Sequence, residues 1–249
     1  MPISLLLTNL WLQAIALNTV LLAIAFLAPK KLLTPLGYLH AWLLGVIVWG
    51  CLEWQGYGVV MFYFLVGSGV TKIGLERKEA EGIAEKRSGQ RGPENVWGSA
   101  LTATICALLT LIFTPDWYPF LILGYVASFS TKLADTTASE VGKAYGQRTF
   151  LITSLQPVPR GTEGAMSLEG TIAGIVASLL MALVAWGFGM INLLGIGLCA
   201  IAAFVATNIE SVIGATLQSR WSWLTNEVVN IINTLIGALL AMGLAWLLA

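Results

Sequence analysis

The chain has 249 residues and a formal net charge of zero; 57% of the residues are hydrophobic and only 10% are charged. An average soluble domain carries about 25% charged residues, so this composition excludes that class. Because a neutral chain produces no global field that attracts an anionic polymer, the sequence also predicts no nucleic-acid partner.

Apolar segments recur along the whole chain. Each is long enough, or nearly long enough, to cross a hydrocarbon core of about 30 Å. Helices are expected, because lipid requires every backbone polar group to be satisfied within the spanning structure. The sequence therefore predicts an all-α, polytopic integral membrane helix bundle with about eight transmembrane spans, at residues 4–28, 33–52, 56–71, 97–114, 118–134, 168–187, 189–206 and 227–248.

Positive charge is distributed unevenly among the loops between these spans. All 13 Lys and Arg residues lie in or next to the four loops that share one side of an eight-span topology, around 29–32, 72–96, 135–167 and 207–226. By the positive-inside rule these loops face the cytoplasm and both termini face away from it. The interiors of the spans are nearly free of ionisable groups, which disfavours a transporter and places the expected chemistry at the cytoplasmic face.

The first long charged loop, at residues 71–98, reads TKIGLERKEAEGIAEKRSGQRGPENVWG. Its first half holds four charged residues at the spacing of a solvated amphipathic helix, namely Glu76, Arg77, Lys78 and Glu79. Its second half is a predicted turn, rich in glycine and proline, that holds the clustered basic residues Lys86, Arg87 and Arg91. Guanidinium groups beside a Gly-rich backbone are suited to hold a polyphosphate; anchoring of the loop at the cytoplasmic face is the alternative.

The second charged loop, at residues 130–148, reads STKLADTTASEVGKAYGQR. If the fifth span continues as a helix, one stripe is formed by Lys132, Asp135, Ser139, Gly142 or Lys143, and Gly146. Ala138 and Gly142 keep this stripe thin, so that a ligand or another helix has access to the backbone. Glu140 points away from Asp135 on a regular helix, and a metal site shared by the two requires a break. A structural Lys132–Asp135 pair is the alternative.

The following segment, LQPVPRGTEGAMSLEGTIAG at residues 155–174, is rich in proline and glycine, which excludes a helix at its beginning. It presents four polar residues on a constrained loop, namely Arg160, Thr162, Glu163 and Ser167. SLEG predicts a helix start with Ser167 as the N-cap. Gly170 and Gly174 predict close packing between helices.

The last polar patch combines the end of the seventh span with the start of the eighth. It contains Asn208, Glu210, Ser211, Asn226, Glu227, Asn230 and Asn233. The asparagines 226, 230 and 233 have the spacing of one helix stripe, for which hydrogen bonds between helices are the alternative explanation. An acidic residue at the end of an apolar span, such as Glu210, favours a functional role.

Asp135, Ala138, Gly142 and Gly146 together form the pattern D-x2-A-x3-G-x3-G, and PRGTEG follows. This resembles the superfamily of membrane enzymes that includes CDP-diglyceride synthases, dolichol kinases and phytol kinases. Arg160 stands where that superfamily has Lys, which argues against the lipid cytidylyltransferases. Residues 60–235 more closely resemble the phytyl-phosphate kinases of tocopherol and phylloquinone biosynthesis, through TKIGLERKEAEGIAEKRSGQRGPENVWG, ADTTASEVG, VPRGTEGAMSLEGT, IGATLQ and NEVVNIINT.

The resemblance implies transfer of the γ-phosphoryl group of CTP, or another nucleoside triphosphate, to an isoprenyl monophosphate. The acceptor that the resemblance favours is phytyl phosphate, which would become phytyl diphosphate. The alternatives are a phytol or dolichol kinase or a CDP-lipid cytidylyltransferase on the same scaffold, and a lipid transporter. The resemblance also implies a cyanobacterial inner or thylakoid membrane and a cytoplasmic active site. We expect one transmembrane catalytic domain over 1–249, in which 1–55 form peripheral spans and 56–249 carry the motifs.

The same resemblance implies the roles of individual residues, with Mg²⁺ as the cofactor. The expected metal ligands are Asp135, Glu140 and Glu210. The expected catalytic residues are Asp135, Lys132, Glu140 and Arg160. The expected nucleotide and phosphate ligands are Lys72, Lys86, Arg87, Arg91, Asn95, Ser139, Gly142, Lys143, Arg148, Thr162 and Ser167. Further polar candidates are Asn208, Ser211, Asn226 and Asn230.

Overall fold

Helices form at each of the predicted spans. The structure, a computed structural model, describes residues 9–218 and 220–249, except for the side chains at 86 and 88. Within these residues the α-helices are α1 (Leu10–Leu27), α2 (Pro35–Thr71), α3 (Leu75–Ala80), α4 (Pro93–Leu109), α5 (Tyr118–Tyr145), α6 (Leu168–Gly187), α7 (Leu193–Thr216) and α8 (Asn226–Leu247). Short 3-10 turns occupy Lys86–Gly89 and Pro115–Trp117.

Side-chain caps fix where several helices begin. The Asn9, Thr34 and Asn192 side chains accept hydrogen bonds from backbone N–H groups in the first turns of α1, α2 and α7. The predicted N-cap at Ser167 is confirmed, because its Oγ accepts from Gly170 N at 3.1 Å. Such caps satisfy backbone donors that have no partner within the helix.

The helix α2 reverses direction at Glu53, whose φ of 52° and ψ of −152° interrupt the helical backbone. Arg91 demonstrates the reversal. Its carbonyl accepts from Thr34 N at 3.0 Å, while its Nη1 donates to Tyr63 Oη at 2.8 Å. In a straight helix residues 34 and 63 lie about 43 Å apart, far beyond the reach of one side chain. The two halves of α2 therefore correspond to the predicted spans 33–52 and 56–71.

The longest helices have the composition of membrane spans. Among the described residues, α1, α2, α6, α7 and α8 are long and apolar enough to cross a bilayer. The central helix α5 packs against α2, α4, α6, α7 and α8 and is buried over most of its length. Since protein rather than lipid surrounds α5, this helix accommodates buried polar residues such as Lys132 and Asp135. The helical membrane bundle is confirmed, and the count of eight crossings stays a prediction.

The loops separate into two ends of the bundle, as the charge pattern predicts. At one end, the Arg160 guanidinium contacts the Glu81 carboxylate at 2.6 Å, and the Gln218 amide donates to Asn226. At the other end, a small cavity lies between the α2 reversal, the start of α5 and the α6–α7 connection. That the charged end faces the cytoplasm stays a prediction.

One connection contains strands. After α5 the chain forms β1 (Thr149–Leu151), which pairs antiparallel with β2 (Ala165–Ser167) in the register Thr149↔Ser167. The prolines and glycines between the strands exclude a helix there, as expected from the sequence. β1 follows α5 and β2 leads directly into α6. The pairing of the two strands therefore holds Ser167, the N-cap of α6, beside the end of α5.

Candidate functional site

A cavity of about 760 Å³ lies at the loop-rich end of the bundle, where α4 to α8 meet the loops after α3 and after β1. Polar side chains dominate its wall at this end. Among the described residues, seven carboxylates line it, from Glu85, Glu94, Asp135, Glu140, Glu163, Glu210 and Glu227. Four cationic side chains accompany them, from Arg87, Arg91, Lys132 and Lys143. The cavity wall is therefore negatively charged.

Lys132 and Asp135 lie at the inner end of this wall on one face of α5. The Lys132 Nζ contacts Asp135 Oδ2 at 2.6 Å and donates to Asn230 Oδ1 on α8, also at 2.6 Å. Lys132 is 7% and Asp135 9% exposed. A buried ion pair at this spacing follows from the uninterrupted course of α5, because residues three apart share a helix face.

Glu210 of α7 joins this pair. The carboxyl group of Glu210 lies near enough to Asp135 and Lys132 for the three charged groups to act on one another electrostatically. Asn233 of α8 donates to Glu210 through its side-chain amide. Two adjacent carboxyl groups repel unless a proton or a cation lies between them. We call Lys132, Asp135 and Glu210, with Asn230 and Asn233, the floor cluster.

The donor set of the floor cluster fits a hard divalent cation. Mg²⁺ prefers oxygen ligands and is commonly held by one or two carboxylates that leave positions for substrate phosphates. Asp135 and Glu210 supply such a carboxylate pair from two different helices. Asn233, whose amide nitrogen donates to Glu210, has a buried Oδ1 with no hydrogen-bond partner among the described residues.

Glu140 belongs to a separate cluster. Its carboxylate accepts from Lys78 Nζ, which also donates to the carbonyl of Thr71 at 2.8 Å. Lys78 is completely buried and Glu140 is 2% exposed. The helix α5 has no break between Asp135 and Glu140, so the two acids point in different directions. The structure thus gives Glu140 an ion-pair partner and brings Glu210, in its place, to Asp135.

Lys78 is the exception on the predicted solvated helix, because it is completely buried and the prediction is wrong for this residue. Gly74 adopts a left-handed backbone with φ of 59°, which turns α3 back toward the bundle after α2 ends. The turn buries Lys78, while Glu76 and Arg77 on the same helix stay exposed. Gly74 is the feature of the sequence that could have indicated this burial. A glycine directly after a span allows the chain to turn back, so that the next residues pack against the ends of the helices.

The Gly-rich turn after α3 supplies the basic side chains of the cavity mouth. Arg91 donates to Tyr63 Oη, and its guanidinium lies 5.1 Å from the centre of the Tyr63 ring. Arg87 pairs with Glu94 and donates to Asn95 Oδ1 at 2.9 Å. Lys143 of α5 lies 3.8 Å from Glu85. These side chains line the cavity and are exposed or half-buried, so a phosphate group has access to them.

Several predicted phosphate ligands lie outside the cavity wall. The exposed side chains of Lys72 and Arg148 are not part of the lining, and neither is the predicted catalytic residue Arg160, which contacts Glu81. The Lys86 side chain lies outside the described residues. Other predicted residues do line the cavity, namely Ser139, Gly142, Thr162, Ser167, Asn208, Ser211 and Asn226. Of these, Ser167 caps α6, and Asn208 and Ser211 donate to carbonyls of their own helix.

Helix α6 packs against the small residues of α5. A Cβ added at Gly170 would lie 2.5 Å from the Ala138 carbonyl oxygen, and one added at Gly174 would lie 2.9 Å from that of Ala134. Glycine at both positions therefore lets the start of α6 approach the α5 backbone closely. This crossing leaves the floor cluster on the adjacent face of α5, toward α7 and α8.

Comparison with known proteins places the chain in a family. A family model described as integral membrane protein DUF92 matches residues 18–238. An uncharacterized membrane protein of Synechocystis is 67% identical over 94% of this chain and 91% of its own length. Protein VTE6, chloroplastic, of Arabidopsis thaliana is 42% identical over 93% of this chain and 71% of its own length.

More distant relatives are also found, but no solved structure matches. An uncharacterized membrane protein of Methanocaldococcus jannaschii is 32% identical over 74% of this chain and 74% of its own length. The family match spans the whole floor cluster and the α2 reversal. The chain therefore belongs to the DUF92 family of integral membrane proteins.

Proposed function

We propose that this protein is a membrane kinase that transfers the γ-phosphoryl group of a nucleoside triphosphate, CTP in the first instance, to an isoprenyl monophosphate. Phytyl phosphate is the proposed acceptor and phytyl diphosphate the product. The observation that carries the proposal is the floor cluster, where one buried cation lies against two carboxylates from different helices at the inner end of a cavity.

The charge balance of the cavity supports a metal-dependent reaction on phosphates. With seven carboxylates against four cationic side chains among the described lining residues, the wall repels a bare triphosphate. Asp135 and Glu210 are the groups that would hold Mg²⁺, which when bound neutralises phosphate charge. Lys132 holds these carboxylates in place and supplies a positive charge toward the transferred group. Arg87, Arg91 and Lys143 are the proposed contacts for the remaining phosphates.

The chemistry needs positioning more than proton transfer. An oxygen of the acceptor monophosphate forms a bond to the γ-phosphorus, and the bond from that phosphorus to the β–γ bridging oxygen breaks. The nucleoside diphosphate leaves with the bond's electron pair. Because a phosphate monoester is already ionised, no general base is required. His40, the chain's only histidine, accepts a hydrogen bond from Trp97 and does not line the cavity.

The choice of acceptor rests on the motif resemblance and the relatives. The five motifs that resemble phytyl-phosphate kinases supply Asp135, Asn230 and Asn233 of the floor cluster and most of the cavity wall, while Lys132 and Glu210 lie just outside them. Identity to a chloroplast protein and to a Synechocystis membrane protein supports a photosynthetic membrane, which we propose to be a cyanobacterial inner or thylakoid membrane. The active site would then face the cytoplasm.

A product analysis tests the proposal. Purified protein in nanodiscs is incubated with Mg²⁺, each nucleoside triphosphate, and phytol, phytyl phosphate or phosphatidic acid in turn. We expect phytyl diphosphate and a nucleoside diphosphate from phytyl phosphate alone. Conversion of phytol would indicate an alcohol kinase, and pyrophosphate release with phosphatidic acid a cytidylyltransferase. The absence of turnover with every acceptor would overturn the enzyme assignment.

Asp135→Asn is the matched variant, because it retains the size of the side chain and removes its charge. Turnover is expected to fall by about 100-fold or more, while the protein stays folded by size-exclusion chromatography. Asp116→Asn, in the exposed turn at the opposite end, is the control and is expected to retain full activity. Full activity of Asp135→Asn would remove this residue from the site.

A further inference from the structure

Beside the floor cluster, the cavity has an extension between α6 and α7. Its wall there consists of small and apolar residues, namely Gly174, Ile175 and Ser178 of α6 and Phe204 and Thr207 of α7. Ser178 lies about 15 Å along the axis of α6 from its first residue. That depth is half of a hydrocarbon core of about 30 Å. The cavity thus runs from the charged end of the bundle toward the middle of the membrane.

This inner part opens sideways onto the outer surface of the bundle. Ile175 and Phe204 line the cavity and are nevertheless 37% and 45% exposed. On either side of the opening, one turn away, Ile172 of α6 and Ile201 of α7 are more than half exposed. In a membrane bundle, surfaces of this kind face lipid chains. The gap between α6 and α7 therefore connects the bilayer with the charged cavity.

A polar group lies where the apolar and charged parts meet. Thr207 is one helical turn from Phe204 on one side and one turn from Glu210 on the other. Its Oγ1 is buried and has no hydrogen-bond partner among the described residues. Among the unpaired buried hydroxyl groups of the described residues, Thr207 is the one that lines the cavity, so its hydroxyl is available to a ligand headgroup.

We propose that the gap between α6 and α7 binds the single isoprenoid chain of the acceptor, which enters sideways from the bilayer. This inference rests on the proposed function and adds the binding path of the substrate. The two ends of the gap match an amphiphile: the Lys132 ammonium attracts the anionic phosphate, and Ile175 with Phe204 contacts the chain. Gly174 and Ser178 have little or no side chain and so leave room for the chain between the helices.

Photolabelling tests the path of the chain without requiring turnover. The full-length protein in nanodiscs is irradiated with phytyl monophosphate that carries a diazirine at the far end of its chain. Labelled peptides are expected within residues 172–181 and 198–207, and excess unmodified phytyl monophosphate is expected to suppress the labelling. Labelling confined to other helices, or labelling that competitor does not suppress, would overturn the proposal.

Acceptor kinetics provide a second test. Ile175→Trp narrows the opening and is expected to raise KM for phytyl monophosphate by about tenfold, the effect of a misfit apolar group in a binding site. The KM for dimethylallyl monophosphate, whose chain is too short to reach the gap, is expected to stay unchanged. Ile172→Trp, on the same helix but outside the cavity wall, is the control. An equal change for both acceptors would contradict a chain-binding role.

The two tests separate this inference from the proposed function. If the gap is labelled, excess competitor suppresses the labelling and the protein transfers no phosphoryl group, the chain-binding site is retained and the kinase proposal is overturned. Turnover of phytyl monophosphate with labelling elsewhere would retain the kinase and overturn the chain site.

Discussion

The charge of Lys132 is central to the floor cluster, because this one ammonium faces two carboxyl groups. Its Nζ contacts Asp135 at 2.6 Å and acts on Glu210 as well, in surroundings where solvent screening is weak. When both acids are ionised, as a bound divalent cation would keep them, one ammonium leaves the cluster with a net negative charge that favours the cation. Lys132 and the cation together would then attract a phosphate. In the proposed reaction the cluster is therefore expected to bind the nucleotide as its metal complex.

Glu210→Gln tests the metal role of the second carboxylate. The change keeps the side-chain size and removes one charge from the proposed ion pocket. We expect the Mg²⁺ concentration for half-maximal activity to rise by about 10- to 100-fold. Mn²⁺ binding, followed by electron paramagnetic resonance in the absence of substrate, is expected to weaken in parallel. Glu76→Gln, at an exposed position of α3, is the control. Unchanged metal dependence of Glu210→Gln would remove Glu210 from the metal site.

The buried Lys78–Glu140 pair is expected to act on stability rather than on chemistry. Lys78→Met removes the buried partner of Glu140 and leaves Lys143, 3.6 Å away. The cost in unfolding free energy is therefore expected near the lower end of the roughly 3–5 kcal/mol typical of a broken buried ion pair, at about 3 kcal/mol. The double variant Lys78→Met with Glu140→Met removes both charges and is expected to recover most of this loss. Thermal unfolding in detergent measures the effect.

Lys72→Met, which changes an exposed lysine six residues away, is the matched control for Lys78. Its unfolding temperature is expected to match that of the unmodified chain. If the double variant is as unstable as Lys78→Met, the ion pair does not account for the effect. If the double variant stays folded but loses all turnover, Glu140 has a role in the reaction itself.

At the scale of the elements, the sequence predicts what depends on neighbouring residues along one helix. The Ser167 cap, the continuity of α5 through Asp135 and the close approach at Gly170 and Gly174 follow from local patterns. The burial of Lys78 does not, because it depends on where a left-handed glycine directs the following helix. The Asp135–Glu210 pair likewise requires knowledge of how α5 and α7 face each other.

The crossing of α5 and α6 gives a prediction at this scale. Gly174→Leu brings a side chain against the Ala134 carbonyl oxygen, which lies 2.9 Å from the position of its Cβ. We expect a loss of about 1–3 kcal/mol in unfolding free energy, typical of overpacking. Gly197→Leu in α7 is the control, because nothing lies within 4 Å of a Cβ added there. Equal stability of the two variants would show that the crossing tolerates a larger side chain.

At the scale of the whole molecule, the two ends of the bundle differ in chemistry. The charged loops, the β-hairpin and the large cavity lie at one end, and the Glu53 reversal lies at the other. The uneven distribution of Lys and Arg predicts this division from the sequence alone. The prediction is possible because successive loops lie on alternate sides of the membrane and basic residues concentrate in the loops of one side.

Cysteine labelling tests the direction of the bundle. In a Cys51→Ala background, Asp116→Cys is expected to react with a membrane-impermeant maleimide added outside intact cells. Glu76→Cys is expected to react only after the membrane is made permeable, since it lies at the charged end. Both positions are exposed, and the remaining cysteines, Cys106 and Cys199, are buried. The reverse labelling pattern would place the site on the opposite side.

The backbone of Arg91 joins the motif-free N-terminal spans to the wall of the cavity. Arg91 N donates to Leu32 O at 2.9 Å and its carbonyl accepts from Thr34 N, so the Gly-rich turn after α3 is fixed to the segment between α1 and α2. The Arg91 guanidinium lines the cavity from this fixed backbone. The first two spans thus support one wall of the cavity in which we propose that the nucleotide binds. A shortened chain that begins after them would keep every motif and lose the support of this turn.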